Sequence, residues 1–182
     1  MKKKVAILAA KGFEEVELTS PKEAMENAGF EVEIVSPESG SIKAWDKDHW
    51  SKDYKVDRTV SEVSASDYDA LMLPGGVMNP DNLRSDEDAL NLVRDFFKQK
   101  KPVAAICHAP WTLISAGVVE GRTMTSYHSM KDDVINAGAN WVDKEVVVDQ
   151  GFVTSRNPGD LEAFNKKLIE EIKEGKHERQ HA

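Results

Sequence analysis

The sequence is poor in cysteine: its 182 residues contain one, Cys107, so no internal disulfide framework can staple the chain. That residue is left as a buried filler, a free thiol or a nucleophile. Long apolar runs are also missing. None approaches the roughly 20 residues that span a bilayer, so no membrane partner is expected. The VAILAA stretch after MKKK is too short for a signal-peptide core and reads as a first strand. Positive charge is in deficit, with 24 Lys and Arg against 32 Asp and Glu, a net charge of −8 and a pI near 5.2. That balance argues against a nucleic-acid partner, which needs a basic face. Neither G-x-x-x-x-G-K-S/T nor G-x-G-x-x-G occurs, so nucleotide phosphates are not indicated and no cofactor is expected. Low-complexity linkers and internal repeats are absent too. The expectation is a soluble, cytoplasmic protein.

What is present fits one ordinary domain, residues 1–182, with 174–182 a polar tail expected to fray. Hydrophobic residues make up 40% and charged residues 31%, ordinary soluble usage. Val5 to Ala10 is a continuous apolar run, as for a strand buried on both faces. Glu14 to Ala28 reads as a helix stopped by Gly29, with Thr19-Ser20-Pro21 as a second start signal inside it. Phe30 to Ser36 alternates like a strand, completing a β-α-β unit. Ser41 to Trp45 and Tyr54 to Val56 suggest a small hairpin. Further strands are predicted at Ala70–Leu73, Pro102–Ile106, Arg122–Thr125, Glu145–Val148 and Phe152–Thr154. Helices are predicted at Asp86–Lys98, Ala109–Ala116, Met130–Ala137 and Leu161–Ile172. The alternation implies an α/β fold, a doubly wound, mostly parallel sheet sandwiched by helices. Ligands of such sheets sit beyond the C-terminal strand ends. Three places qualify: Gly12 to Glu17, Pro74 to Asp81, and Cys107-His108.

In AAICHAP a buried strand meets a helix with no room for a loop, so Cys107 sits at a sharp elbow. A helix N-terminus favours thiolate, which predicts a thiol pKa below that of a free cysteine. The following N–H, that of His108, can serve as an oxyanion donor, and the His108 ring as base or orienting partner. The plain alternative is a cysteine packed as a small hydrophobe. In LPGG, Gly75 and Gly76 permit close backbone approach and either line an oxyanion hole or make an ordinary turn. Glu14 and Glu17 lie three apart and share a helix face. One of them reaches the thiol, or both simply favour a first helical turn. Arg156 either binds an anionic substrate or holds a loop. His128 is a lone pocket candidate. His177 and His181, spaced i,i+4, resemble a metal pair, but their polar terminus argues for solvation, and no metal site is expected.

The segments KGFEEVEL, LPGG, AAICHAPW and TSRNPGDL, in this order, resemble the PfpI family over about Val5 to Ile172. That family groups intracellular cysteine peptidase-like and general stress proteins with deglycase-like proteins. Its fold is of the class I glutamine amidotransferase-like group, related to the flavodoxin-like arrangement. The resemblance implies that Cys107 is the reactive nucleophile, followed by His108. It places the thiol-touching glutamate at Glu17, with Glu14 as fallback, and the backbone glycines at Gly75 and Gly76. It also implies a homo-oligomer, a dimer or larger, in which Asp81 completes a triad from a neighbouring subunit. Three functions follow. The first is glyoxalase III or deglycase chemistry on small carbonyls or glycated protein, yielding lactate or glycolate. The second is a cysteine peptidase or amidase acting on peptides. The third is a redox-responsive stress protein or chaperone without enzymatic activity.

Overall fold

The computed structural model describes residues 1–181. The chain runs β1 (Lys4–Leu8), α1 (Glu15–Asn27), β2 (Glu31–Ser36), β3 (Ser41–Asp46), β4 (His49–Lys55) and β5 (Arg58–Thr59). It continues through β6 (Ala70–Leu73), α2 (Met78–Leu83), α3 (Glu87–Lys98), β7 (Val103–Ile106) and α4 (Pro110–Ala116). It ends with β8 (Thr123–Met124), α5 (Lys131–Asn136), β9 (Asn140–Trp141), β10 (Val147–Asp149), β11 (Phe152–Ser155) and α6 (Leu161–Glu174).

Seven strands form the central sheet in the order β10-β11-β7-β6-β1-β2-β5, parallel except for the β10–β11 pair. Side chains alternate across a strand, so β1 feeds two cores. Val5, Ile7 and Ala9 join Leu18, Met25, Phe164 and Leu168 beneath α1 and α6. Ala6, Leu8 and Ala10 join Phe96, Phe97 and Leu113 beneath α3 and α4. Leu90, Val93 and Phe97 recur at helical spacing on the buried face of α3. Phe97 meets Phe152 edge-on at 5.7 Å, and truncating either ring costs about 3–5 kcal/mol. The chain leaves β1 toward β2 on one side and returns through β6 and β7 on the other. The switch point therefore lies at the C-terminal ends of β1, β6 and β7, which carry the three segments singled out above.

The expected fold class is the observed one, and several details differ. Thr19-Ser20-Pro21 starts no new helix. α1 runs through Pro21, whose ring is buried, and forgoes one backbone bond there. α2 was not anticipated; it is a six-residue turn of helix with no apolar periodicity to reveal it. The hairpin β3–β4 is longer than the sequence suggested and docks on the first β-α turn. Gly12 N–H donates to the Lys43 carbonyl (2.8 Å) and Trp45 N–H to that of Phe13 (2.9 Å).

The C-terminal tail is a correction. Residues 175–181 do not fray but fold back beneath the sheet, across the segments that lead into β7 and β11. His177 N–H donates to the Lys100 carbonyl (2.9 Å), and Gln180 is buried. Arg122, 1% exposed, explains the docking. Its guanidinium lies over the rings of Phe97 and Phe152, and pairs with Asp149 (3.3 Å). Nη1 then donates to the His181 carbonyl (2.8 Å). A buried guanidinium needs all its donors answered, and the tail answers one of them.

Candidate active site

Cys107 occupies the joint between β7 and α4 with φ +63°, a left-handed conformation rare for a residue with a side chain. Such a residue costs about 1–3 kcal/mol and persists where its surroundings dictate it. Here they do so from both sides. Its N–H donates to the Ser155 carbonyl (3.1 Å), and its own carbonyl accepts from Tyr127 N–H (2.9 Å). The sulfur is directed into a cavity of about 260 Å³ beyond the sheet, bounded also by Glu14, Trp45, Val77 and Tyr127.

Glu17, in the first turn of α1, is completely buried. Its Oε1 accepts from Gly75 N–H (3.0 Å), while Oε2 has no nitrogen or oxygen partner; the thiol is the acidic group beside it. Burial, then the nearby Glu14 charge, push the Glu17 carboxyl up to about 8. At neutral pH it is mostly protonated. Burial, then an ionised Glu17, also push the Cys107 thiol up, against the pull of the N–H groups of Gly76 and His108. The depressed thiol pKa expected from the helix terminus is thus reversed, because burial outweighs one short helix. The two acids repel each other only when both are ionised, so the first proton lost leaves one negative charge on the pair and that charge opposes loss of the second.

His108 places Nδ1 3.2 Å from Sγ. Its ring stacks on Tyr127 (4.5 Å between centroids), and Nε2 faces the Ser129 hydroxyl at 3.5 Å. Burial, then His128, hold it below the usual histidine range, so it is neutral at pH 7.

The two glycines play different parts. Gly75 N–H is taken by Glu17, so it is not a free oxyanion donor as the sequence suggested. A Cβ on Gly75 would lie 2.5 Å from Glu17 Oε1 and 2.6 Å from Cys107 Cβ. The requirement there is close approach. Gly76 has φ +84° and directs its N–H toward Glu17 and the thiol. With His108 N–H it makes the donor pair facing Sγ.

Three other candidates lie outside the Cys–Glu pair. Glu14 bounds the cavity, but its Oε1 accepts from Lys47 N–H (2.9 Å), so it anchors the hairpin tip at the mouth. Arg156 does not line the cavity; it forks onto Asp160 (both contacts 2.9 Å) and reaches Asp143 (2.8 Å), holding its loop. Asp81 is exposed on α2 and does not enter the thiol cavity of its own chain. It borders an adjoining groove with Trp45, Val77 and Met78.

Sequence reasoning missed Asn79. It is fully buried; its Oδ1 accepts from Ala10 N–H (2.7 Å), and its amide donates to the carbonyls of Pro74 (2.9 Å) and Gly75 (3.0 Å). It ties the end of β1 to the glycine loop. An Asn two residues beyond an exposed Val carries no pattern that announces such a role. Tyr127 lines the cavity where the sequence pointed to its neighbour His128, which is exposed and packs tilted against the Tyr127 ring.

Fold and cavity together define a doubly wound α/β protein with a Cys–Glu pair at a strand-to-helix elbow. The chain matches the DJ-1/PfpI family over residues 3–171 and belongs to that family. It is 46% identical over 173 residues to YraA of Bacillus subtilis, covering 95% of this chain and all of that one. The name of that relative carries a provisional cysteine-protease assignment. It is 46% identical over 170 residues to the deglycase PfpI of Pyrococcus furiosus, covering 93% and 99% of the two chains. Among solved structures, Drosophila melanogaster DJ-1beta superposes with a TM-score of 0.85 at 31% identity, covering 96% and 95%.

Proposed function

We propose that this chain is a cysteine-dependent enzyme acting on reactive carbonyls, of the glyoxalase III or deglycase type. The observation that carries the reading is Glu17, a buried carboxyl pushed up to about 8 beside the thiol in the same chain. A group that titrates near the working pH can both give and take a proton. The deglycase name of the Pyrococcus relative supports the same reading.

The productive form of the pair has the proton on Glu17 and the charge on Sγ, facing the N–H groups of Gly76 and His108. For a 2-oxoaldehyde, Sγ attacks the aldehyde carbon. An S–C bond forms, the C=O π bond opens, and Glu17 gives its proton to the oxygen, leaving a hemithioacetal. The Glu17 carboxylate then carries the C1 proton to C2, while the C1 hydroxyl proton passes to the C2 oxygen. The product is a thioester of a 2-hydroxy acid. Water cleaves it, releasing the hydroxy acid and restoring the thiol. An aldehyde is electrophilic enough that two backbone donors suffice for its oxyanion.

A peptidase reading is favoured by one observation, the 3.2 Å approach of His108 Nδ1 to Sγ. It requires a carboxylate to orient His108, and within the chain Nε2 faces Ser129 instead. Asp81 would have to come from a second copy. We place such a copy over the groove of Trp45, Val77 and Met78, where Val77 is 56% and Met78 38% exposed beside the cavity mouth. The deciding experiment is a paired assay of wild type and Cys107→Ala, following methylglyoxal consumption and amide hydrolysis side by side. Cysteine-dependent methylglyoxal loss without amide cleavage supports the carbonyl enzyme; the reverse replaces it with the peptidase. Neither activity leaves the redox-responsive role.

A further inference from the structure

The end of α6 and the segment after it gather three metal-binding groups away from the thiol cavity. Glu171 and Glu174, i,i+3 on one helix face, are met by His177. His177 Nε2 lies 2.8 Å from Glu171 Oε2 and 3.8 Å from Glu174 Oε2. One ligand atom from each of the three lies within 4.8 Å of the others. His177 and His181 lie beyond the helix, which stops at Glu174, and Gly175 turns the chain back with φ +87°.

The imidazole is held before any ligand arrives. Its backbone N–H is fixed on the Lys100 carbonyl, and its ring lies against Gly151, where a Cβ would come within 2.7 Å of Cδ2. Two nearby lysines are paired with other carboxylates, Lys100 with Glu178 (2.7 Å) and Lys167 with Glu170 (2.8 Å).

A second observation points to a ligand. Glu171 is more than nine-tenths buried, yet its Oε2 has no hydrogen-bond partner, and neither has the buried His177 Nε2. The two atoms stand 2.8 Å apart but are not aligned as N–H and acceptor. Two donors about 2.0–2.2 Å from one tetrahedral ion are themselves separated by about 3.4 Å. The pair stands a few tenths of an ångström closer than co-ligands and lacks the alignment of a hydrogen bond, so a small parting of the two side chains admits the ion.

We propose that Glu171, Glu174 and His177 bind a divalent transition cation of the zinc type. One imidazole nitrogen and two carboxylates match the charge and donor preference of that class, whereas calcium and magnesium prefer all-oxygen sites. The ion closes α6 onto residues 175–181, so its role is structural and independent of Cys107 chemistry.

The test uses the full chain in a Cys107→Ala background, so that no thiol competes for metal. Chelator-treated protein is titrated with Zn²⁺ against a chromophoric competitor, and Co²⁺ absorption reports the ligand set. The expected result is one equivalent bound, with no thiolate charge-transfer band. His177→Ala and Glu174→Gln each weaken binding about tenfold or more, as loss of groups around a metal does. Glu174 is 64% exposed, so its substitution leaves folding intact and separates metal loss from misfolding. Zn²⁺ should raise the melting temperature of the background but not of His177→Ala. No binding at micromolar Zn²⁺, or binding by either variant as tight as in the background, overturns the proposal.

Discussion

His108 Nδ1 stands 3.2 Å from Cys107 Sγ, while the far side of the same ring faces a serine hydroxyl and no carboxylate. A histidine so placed shapes the thiol's surroundings without the partner that would make it a strong base. His108→Ala should therefore lower kcat/KM for methylglyoxal by about tenfold, against a loss of about 10²–10⁴ for Glu17→Gln. Steady-state kinetics on both variants check this. Equal losses would move the proton-transfer role to His108.

Glu17 also makes stability depend on pH. Its carboxyl is pushed up to about 8 in the folded chain from an ordinary 4.5. Between those values the folded state holds a proton that the unfolded state has released. Stability contributed by this group is thus full at low pH and declines as pH rises toward 8. Glu17→Gln keeps the shape without the charge. It should melt near wild type at pH 5 and be more stable at pH 9, by on the order of a few kcal/mol. Thermal melts at the two pH values decide it; a wild type that is the more stable at pH 9 contradicts the buried-acid account.

The shared proton has its own signature. Alkylation of Cys107 by iodoacetamide should follow two apparent ionisations in wild type, because each acid feels the charge of the other. Glu17→Gln should reduce the profile to one. Superimposable profiles would mean that the two groups do not communicate.

Asn79→Leu should damage the cavity from beneath. It leaves the Ala10 N–H and the Pro74 and Gly75 carbonyls without their buried partner. At roughly 1 kcal/mol for each bond, the loss is about 3 kcal/mol. Denaturant unfolding measures it, and turnover should fall as well, because the glycine loop carries the Gly76 donor. Undiminished kcat in a destabilised variant would confine Asn79 to folding.

Asp81 separates assembly from chemistry. Sedimentation of the wild type at micromolar concentration should show a dimer or larger species. Asp81→Ala with full turnover removes that residue from the catalytic set and leaves the oligomer standing. A wild type that sediments only as monomer removes both.

Much of this architecture was readable because apolar runs are strong signals. VAIL, ALML and VAAI are continuous because parallel strands under two helical layers have no wet face. The elbow at Cys107 was legible for the same reason: an apolar strand ran into a proline-initiated helix without spare residues. What escaped was set by tertiary partners. The six residues of α2 show no amphipathic period, and Asn79 works through backbone atoms of two separate segments. Arg122 reads as surface charge until the rings of Phe97 and Phe152 are seen around it. The tail reads as solvated because its polar residues find their partners 50 to 80 positions away, as Gln180 does at Lys101. The thiol's ionisation escaped because burial and a neighbour's charge outweigh the helix end, and neither is visible in a local string.

The wall formed by β3 and β4 is a two-stranded sheet of its own, joined to the first turn chiefly through Lys43, Trp45 and Lys47. Its inner residues Ile42, Ala44 and Val56 are buried in the core beneath α1, so the part open to exchange is the tip. A tip of another length or charge can be spliced between Ala44 and Tyr54 without uncovering that core or the helix that carries Glu17. Substrate preference and reaction type are then separately evolvable, and separately engineerable. Chimaeras at these two junctions should keep the Cys107 reactivity profile while changing which aldehydes are consumed.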